Sequence, residues 1–178
     1  MVNTFIKREG FVILELVVVL AIIALISGIM FISLKTGKQS LALDRAAHKV
    51  AQDIRKTAEL ALRSKPYTCI KPGSFSSGYG MRFDDPDVFY IRFADCNGNK
   101  TYQPSDDKIE ETITLEDGVR IQSVTAGALH ILFIPPNPEI FINGSSAVNP
   151  GQIVLELKSN PSVTRTITVN NKGMIRVD

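Results

Sequence analysis

Histidine and cysteine each occur only twice among the 178 residues. His48 falls in a helical pattern and His130 in an alternating one. Neither stands beside a nucleophile or a metal-ligand partner at a recognisable spacing, so the inventory argues against an enzyme. A surplus of one charge is lacking too: 20 basic and 18 acidic residues leave a formal charge of +2. No basic cluster with interleaved aromatics occurs, and charge-driven binding of a nucleic acid would need one. Glu110 and Glu111 read as a solvated strand edge, with nothing to set them against another carboxylate. No internal repeat or low-complexity tract is present. No proline precedes Pro66, so nothing of that kind interrupts a helix in the first third of the chain.

Long apolar runs are also scarce, but there is one. Residues 16–34 carry no formal charge, and at a rise of ~1.5 Å each they roughly match a hydrocarbon core of ~30 Å. The run is too long for the apolar part of a secretory signal peptide, and no small-x-small cleavage site follows it, so it is expected to stay on the protein. Glu15 stands at its mouth. An ionised carboxylate inside such a run costs roughly 2.5 to 3.5 kcal/mol near a membrane centre and less near the interface, so a compensating partner is expected. Snorkelling of Glu15 toward headgroups is the simpler alternative.

At these residues the chain resembles the type IV pilin and type II secretion pseudopilin superfamily. The likeness lies in order and spacing: a short leader with Lys7 and Arg8, then Gly10, then Phe11, then Glu15 as the fifth residue after the glycine, then the apolar helix. In that family a prepilin peptidase cuts after the glycine and methylates the new amino terminus. The resemblance therefore implies cleavage between Gly10 and Phe11, N-methylation of Phe11, and assembly through Glu15, paired with the terminal amine of a neighbouring subunit. It also implies the cytoplasmic (inner) membrane as location, with a single span, an extracytoplasmic carboxy-terminal domain, and assembly into a periplasmic or cell-surface filament. The implied partners are other pilin or pseudopilin subunits, the prepilin peptidase, the inner-membrane assembly platform and the lipid bilayer. Orientation rests on the resemblance, because Lys35 and Lys38 flank the far end of the run much as Lys7 and Arg8 flank the near one. Removing residues 1–10 would take away Lys7, Arg8 and Glu9 and leave 18 basic and 17 acidic groups, a side-chain charge of +1.

Beyond Lys38 the apolar residues Leu43, Ala47, Val50, Ile54, Ala58 and Ala61 recur at spacings of three and four, with Asp44, Arg45, Lys49, Gln52, Asp53, Lys56 and Glu59 largely off that stripe. The helix is expected to continue as an amphipathic one and to end at Pro66, which lacks an amide donor. Gly28 and Gly37 mark places where it is easiest to bend. After Pro66 the pattern alternates: Tyr79, Met81 and Phe83, then Phe89, Ile91 and Phe93, then Ile153, Leu155 and Leu157. Turn formers such as Asn97-Gly98, Asp117-Gly118 and Asn143-Gly144 punctuate about eight to ten short strands. The expected fold is α+β, a long amino-terminal helix packed on an antiparallel sheet or two-sheet sandwich. The segments are a leader at 1–10, a membrane or filament-core helix at 11–34, its amphipathic continuation at 35–65 and a β domain at 66–178. Residues 78–83 and 166–177 resemble the H-type minor pseudopilins, and the aspartate- and glycine-rich carboxy-terminal segment of a major pseudopilin is missing. A single-pass, signal-anchored binding or sensor domain is the alternative from another class.

Two sets of residues remain. Asp95, Asn97, Asn99 and Asp106 fall at positions 1, 3, 5 and 12 of a calcium-loop template, with Asp107 as a possible helper. Lys100 replaces the turn glycine and aspartate the bidentate glutamate, so weak Ca2+ binding competes with a plain hairpin turned by Asn97-Gly98. Cys69 and Cys96 both fall in the part assigned outside the cytoplasm, where a disulfide and two free thiols are both open.

Overall fold

A computed structural model of the chain describes residues 9–63, 69, 76–137, 139–147 and 149–178, without the side chains of residues 9–12 and 29–36. Two units emerge, Met1–Gln39 and Ser40–Asp178. Helix α1 (Glu9–Leu62) begins in the first and ends in the second. Gly28 and Gly37 both lie within it.

In the second unit α1 buries Leu43, Ala46, Ala47, Val50, Ala51, Ile54, Thr57 and Ala61. That is the predicted stripe, widened by Ala46 and Ala51, and its small side chains let the helix backbone approach the sheets closely. Ala58 is only half-buried. The Arg63 amide still donates to the Glu59 carbonyl, while Pro66, the expected stop, lies outside the described residues.

All strand pairings among the described residues are antiparallel, as the short spacing between turn signals favours. Strands β1 (Gly78–Asp84), β2 (Phe89–Asp95), β3 (Lys108–Thr114), β5 (Ala128–Ile134) and β6 (Glu139–Ile142) form one sheet in the order β3-β2-β1-β5-β6. Strands β4 (Val119–Val124), β7 (Gly151–Leu157), β8 (Asn160–Val169) and β9 (Ile175–Val177) form the second, in the order β4-β7-β8-β9. The α+β expectation holds. One core joins the buried stripe of α1 to Tyr79, Met81, Phe83, Leu129, Ile131 and Phe133 of the first sheet and to Ile121, Ile153, Leu155 and Ile167 of the second.

Two sequence readings are refined here. On β2 the residues that meet this core are Tyr90 and Ala94, whereas Phe93 belongs to a separate apolar cluster with Leu132 and Phe141, and Phe89 is exposed. Ile91 and Phe93 of the alternating set are buried, but on the face away from the helix. The face toward the helix uses side chains with polar ends, Tyr90 and Arg92, whose apolar stems pack while their tips bond. The second correction concerns Asn97-Gly98. It does not turn a tight hairpin, because β2 and β3 pair through Ala94 and Lys108 and everything between Asp95 and Lys108 is connecting loop.

Candidate functional site

In the first unit, the large apolar side chains from Ile13 to Ile26 are exposed, from 46% at Val19 to 69% at Leu25. They occur all round the helix, so no polar face is available to meet water. Glu15 lies among them, also exposed. Gly10 and Phe11 are helical, but the Phe11 side chain is outside the described set. The uncharged run 16–34 is described at the side-chain level only through Gly28. Among the described residues no helix is long and apolar enough to cross a membrane.

In the second unit, α1 is tied to the first sheet through a buried polar cluster that no sequence motif announces. The Tyr90 hydroxyl donates to Asp53 Oδ2 at 2.6 Å. Arg92, only 3% exposed, donates from Nε to Thr57 Oγ1 at 2.9 Å and from Nη1 to Glu111 Oε2. The Thr57 hydroxyl donates in turn to the Asp53 backbone carbonyl at 2.8 Å. Among the described residues Arg92 Nη2 has no hydrogen-bond partner; Asp53 Oδ1 lies 3.9 Å from it. Glu110 sits 4.0 Å from Arg92 Nε, so the two acids expected at a solvated edge flank a buried cation. Burial first, and the bond to Asp53 second, push the Tyr90 phenol far above its ordinary range. The available signal was an arginine inside an otherwise apolar alternation, which demands partners wherever it is buried.

Elsewhere α1 is clamped from both sides. Arg45 makes a two-pronged contact with Glu116, both bonds 3.1 Å, and Asp44 accepts from Arg165 of β8 at 2.6 Å. Arg45 holds the Glu116 carboxyl below its ordinary value.

The loop from 96 to 107 uses its acids on its own backbone. Asp95 accepts from the amides of Gly98 and Lys100 at 2.8 and 3.1 Å. Asp107 accepts from those of Cys96 and Gln103 at 2.8 and 2.7 Å. Asn97 and Asn99 accept from the amides of Asn99 and Thr101, and Asp106 Oδ2 accepts from the Ser105 hydroxyl. Among the described residues no group of three or more His, Cys, Asp or Glu side chains is placed to hold a metal ion. Burial raises the Asp107 carboxyl although its two amide bonds pull the other way. Cys69 and Cys96 are bonded to each other, with Cα atoms 5.8 Å apart. The bond fastens the start of the loop to the segment that follows α1.

No protein-family model matches the chain, and no curated protein matches it. Among solved structures it is similar to the minor pseudopilin EpsH from the Type 2 Secretion System of Vibrio cholerae, with 16% identity, coverage of 76% of this chain and 95% of that one, and a TM-score of 0.46. So distant a likeness assigns no function by itself.

Proposed function

We propose that the chain is a structural subunit, a minor pseudopilin or pilin-like protein, of a type II secretion or type IV pilus filament. The observation that carries this reading is Glu15, a lone carboxylate near the start of α1 among large apolar side chains that are exposed from Ile13 to Ile26, five residues after a glycine that follows Lys7 and Arg8. An apolar helix surface of that kind needs either lipid or other apolar helices around it. A subunit that waits in the bilayer and then joins a bundle of its own kind meets both in turn. In the bundle the Glu15 carboxylate needs a cation, and the amine freed at Phe11 of an adjacent subunit supplies one.

On this reading the prepilin peptidase removes residues 1–10 and methylates Phe11. Residues 11–34 hold the chain in the inner membrane until the assembly platform draws it into the filament, with the β domain on the extracytoplasmic side. The protein has a scaffolding role and no reaction of its own. Intact-mass spectrometry of protein from a host with an active prepilin peptidase tests this. The expected product begins at Phe11 and carries one added methyl group; a product that retains residues 1–10 overturns the proposal.

A further inference from the structure

The outer face of the first sheet carries an apolar cluster of its own: Phe93 and Leu132 fully buried, Phe141 nearly so, with Ile134 and Tyr102 packed against them. Tyr102 comes from the loop 96–107, which lies over this face as a strap. The ends of the strap are held firmly, by the Cys69–Cys96 bond at one end and by Asp107 at the other. Its middle is held differently. The Tyr102 amide donates to His130 Nδ1 at 2.9 Å, and His130 belongs to β5, on the same outer face as Leu132. Two cation–ring contacts complete the attachment, Arg82 at 5.3 Å from the centre of the Tyr102 ring and Lys100 Nζ at 4.0 Å from that of Phe141.

We propose that His130 is the catch of a pH-sensitive strap: neutral His130 pins Tyr102 of the loop 96–107 through its backbone amide, and protonation releases Tyr102 and uncovers the part of the apolar face of Phe93, Leu132 and Phe141 that it packs on. An imidazole accepts at Nδ1 only while that nitrogen carries no proton, so the bond fixes the neutral tautomer with hydrogen on Nε2. Protonation sets two N–H groups against each other. The charged groups facing His130 are Arg82 and Asp84 of β1, which pair with each other at 2.8 Å. From the strap come Tyr102, which touches it, and Lys100 and Asp107 farther along. From the turn after β6 comes Asn143, whose Oδ1 accepts from the His130 amide at 2.7 Å. From β2 comes the Phe93 ring, centred 6.5 Å away, while Arg92 points to the other side of the sheet.

Burial first and Arg82 second lower the His130 value from 6.5, with Asp84 opposing. A lowered histidine stabilises the closed form above its unfolded value, and that contribution is lost as pH falls through the folded one. Opening is therefore set below pH 6.5.

Hydrogen exchange on the full-length chain in mild detergent, scaled for the intrinsic rate at each pH, reads the strap directly. Between pH 8 and pH 5, the Tyr102 amide should lose protection by about tenfold, the equivalent of one hydrogen bond, while β8 and the Gly98 and Lys100 amides bonded to Asp95 keep theirs. His130→Asn sets an amide oxygen near the position of Nδ1 and cannot titrate, so it should hold the strap closed at both values. Equal wild-type protection at the two pH values overturns the proposal. So does a loss shared by β8, which would mean general unfolding, or a loss that persists in His130→Asn, which would transfer the effect to Asp107.

Discussion

Tyr90 and Arg92 show at the scale of single residues how the amphipathic part of α1 is docked by more than apolar contact. Helix and sheet could slide over one another on alanine and isoleucine alone. The Tyr90–Asp53 bond and the Arg92 bonds to Thr57 and Glu111 remove that freedom, the Arg92–Thr57 bond most strongly because both its partners are buried and a lost partner there is costly to replace. Tyr90→Phe should cost about 1 to 2 kcal/mol, read as a lower urea midpoint, since it leaves Asp53 Oδ2 without its donor. The same phenol has an alkaline signature. Its folded value lies above the ordinary 10.0, so its contribution is complete below pH 10 and is lost as pH rises further. Wild type should therefore weaken above pH 10 more steeply than Tyr90→Phe does, by thermal melting.

At the scale of elements, the close approach of β1 and β2 depends on one glycine. A Cβ at Gly80 would fall 2.6 and 2.7 Å from carbons of the Phe93 ring and 2.9 Å from the Ile131 carbonyl oxygen. The ring can turn aside, but the carbonyl belongs to the β1–β5 ladder and is held by it. Gly80→Ala is expected to destabilise the domain by about 1 to 3 kcal/mol, measured by denaturant unfolding, and adding Phe93→Leu should recover part of the loss. The Cys69–Cys96 bond acts between elements, and across 27 residues it contributes roughly 3 to 4 kcal/mol on the chain-entropy model.

At the scale of the molecule, the two units place different demands on their surroundings. The second closes its core within itself, whereas the first leaves its large apolar side chains from Ile13 to Ile26 open. On the proposed reading, that openness is filled by lipid before assembly and by neighbouring helices after it. Removing one partner of a buried ion pair costs roughly 3 to 5 kcal/mol, because the other charge is left unpaired. Glu15→Ala should therefore insert and be processed normally yet be lost from filaments, and Glu15→Asp should be incorporated poorly. Co-purification of each variant with sheared filaments or partner subunits measures this. Incorporation of Glu15→Ala at the wild-type level would show that the carboxylate does no more than snorkel.

Periodicity was enough to determine the buried stripe of α1 and the inward set on β1, because each depends on side-chain spacing along one element, and the short spacing between turn signals favoured antiparallel strands. The order of residues around Gly10 and Glu15 likewise needs no fold to be read. Only the tertiary structure decided which face of β2 meets the helix, since apolar and polar-tipped side chains alternate there and either set can be buried once partners reach it. It alone joined Cys69 to Cys96, put Arg92 within reach of Thr57 and Glu111, and laid Tyr102 against His130. Those contacts link residues 27 to 35 positions apart or bridge two strands 19 apart. Spacing along the chain carries no information about such distances until the sheets have closed.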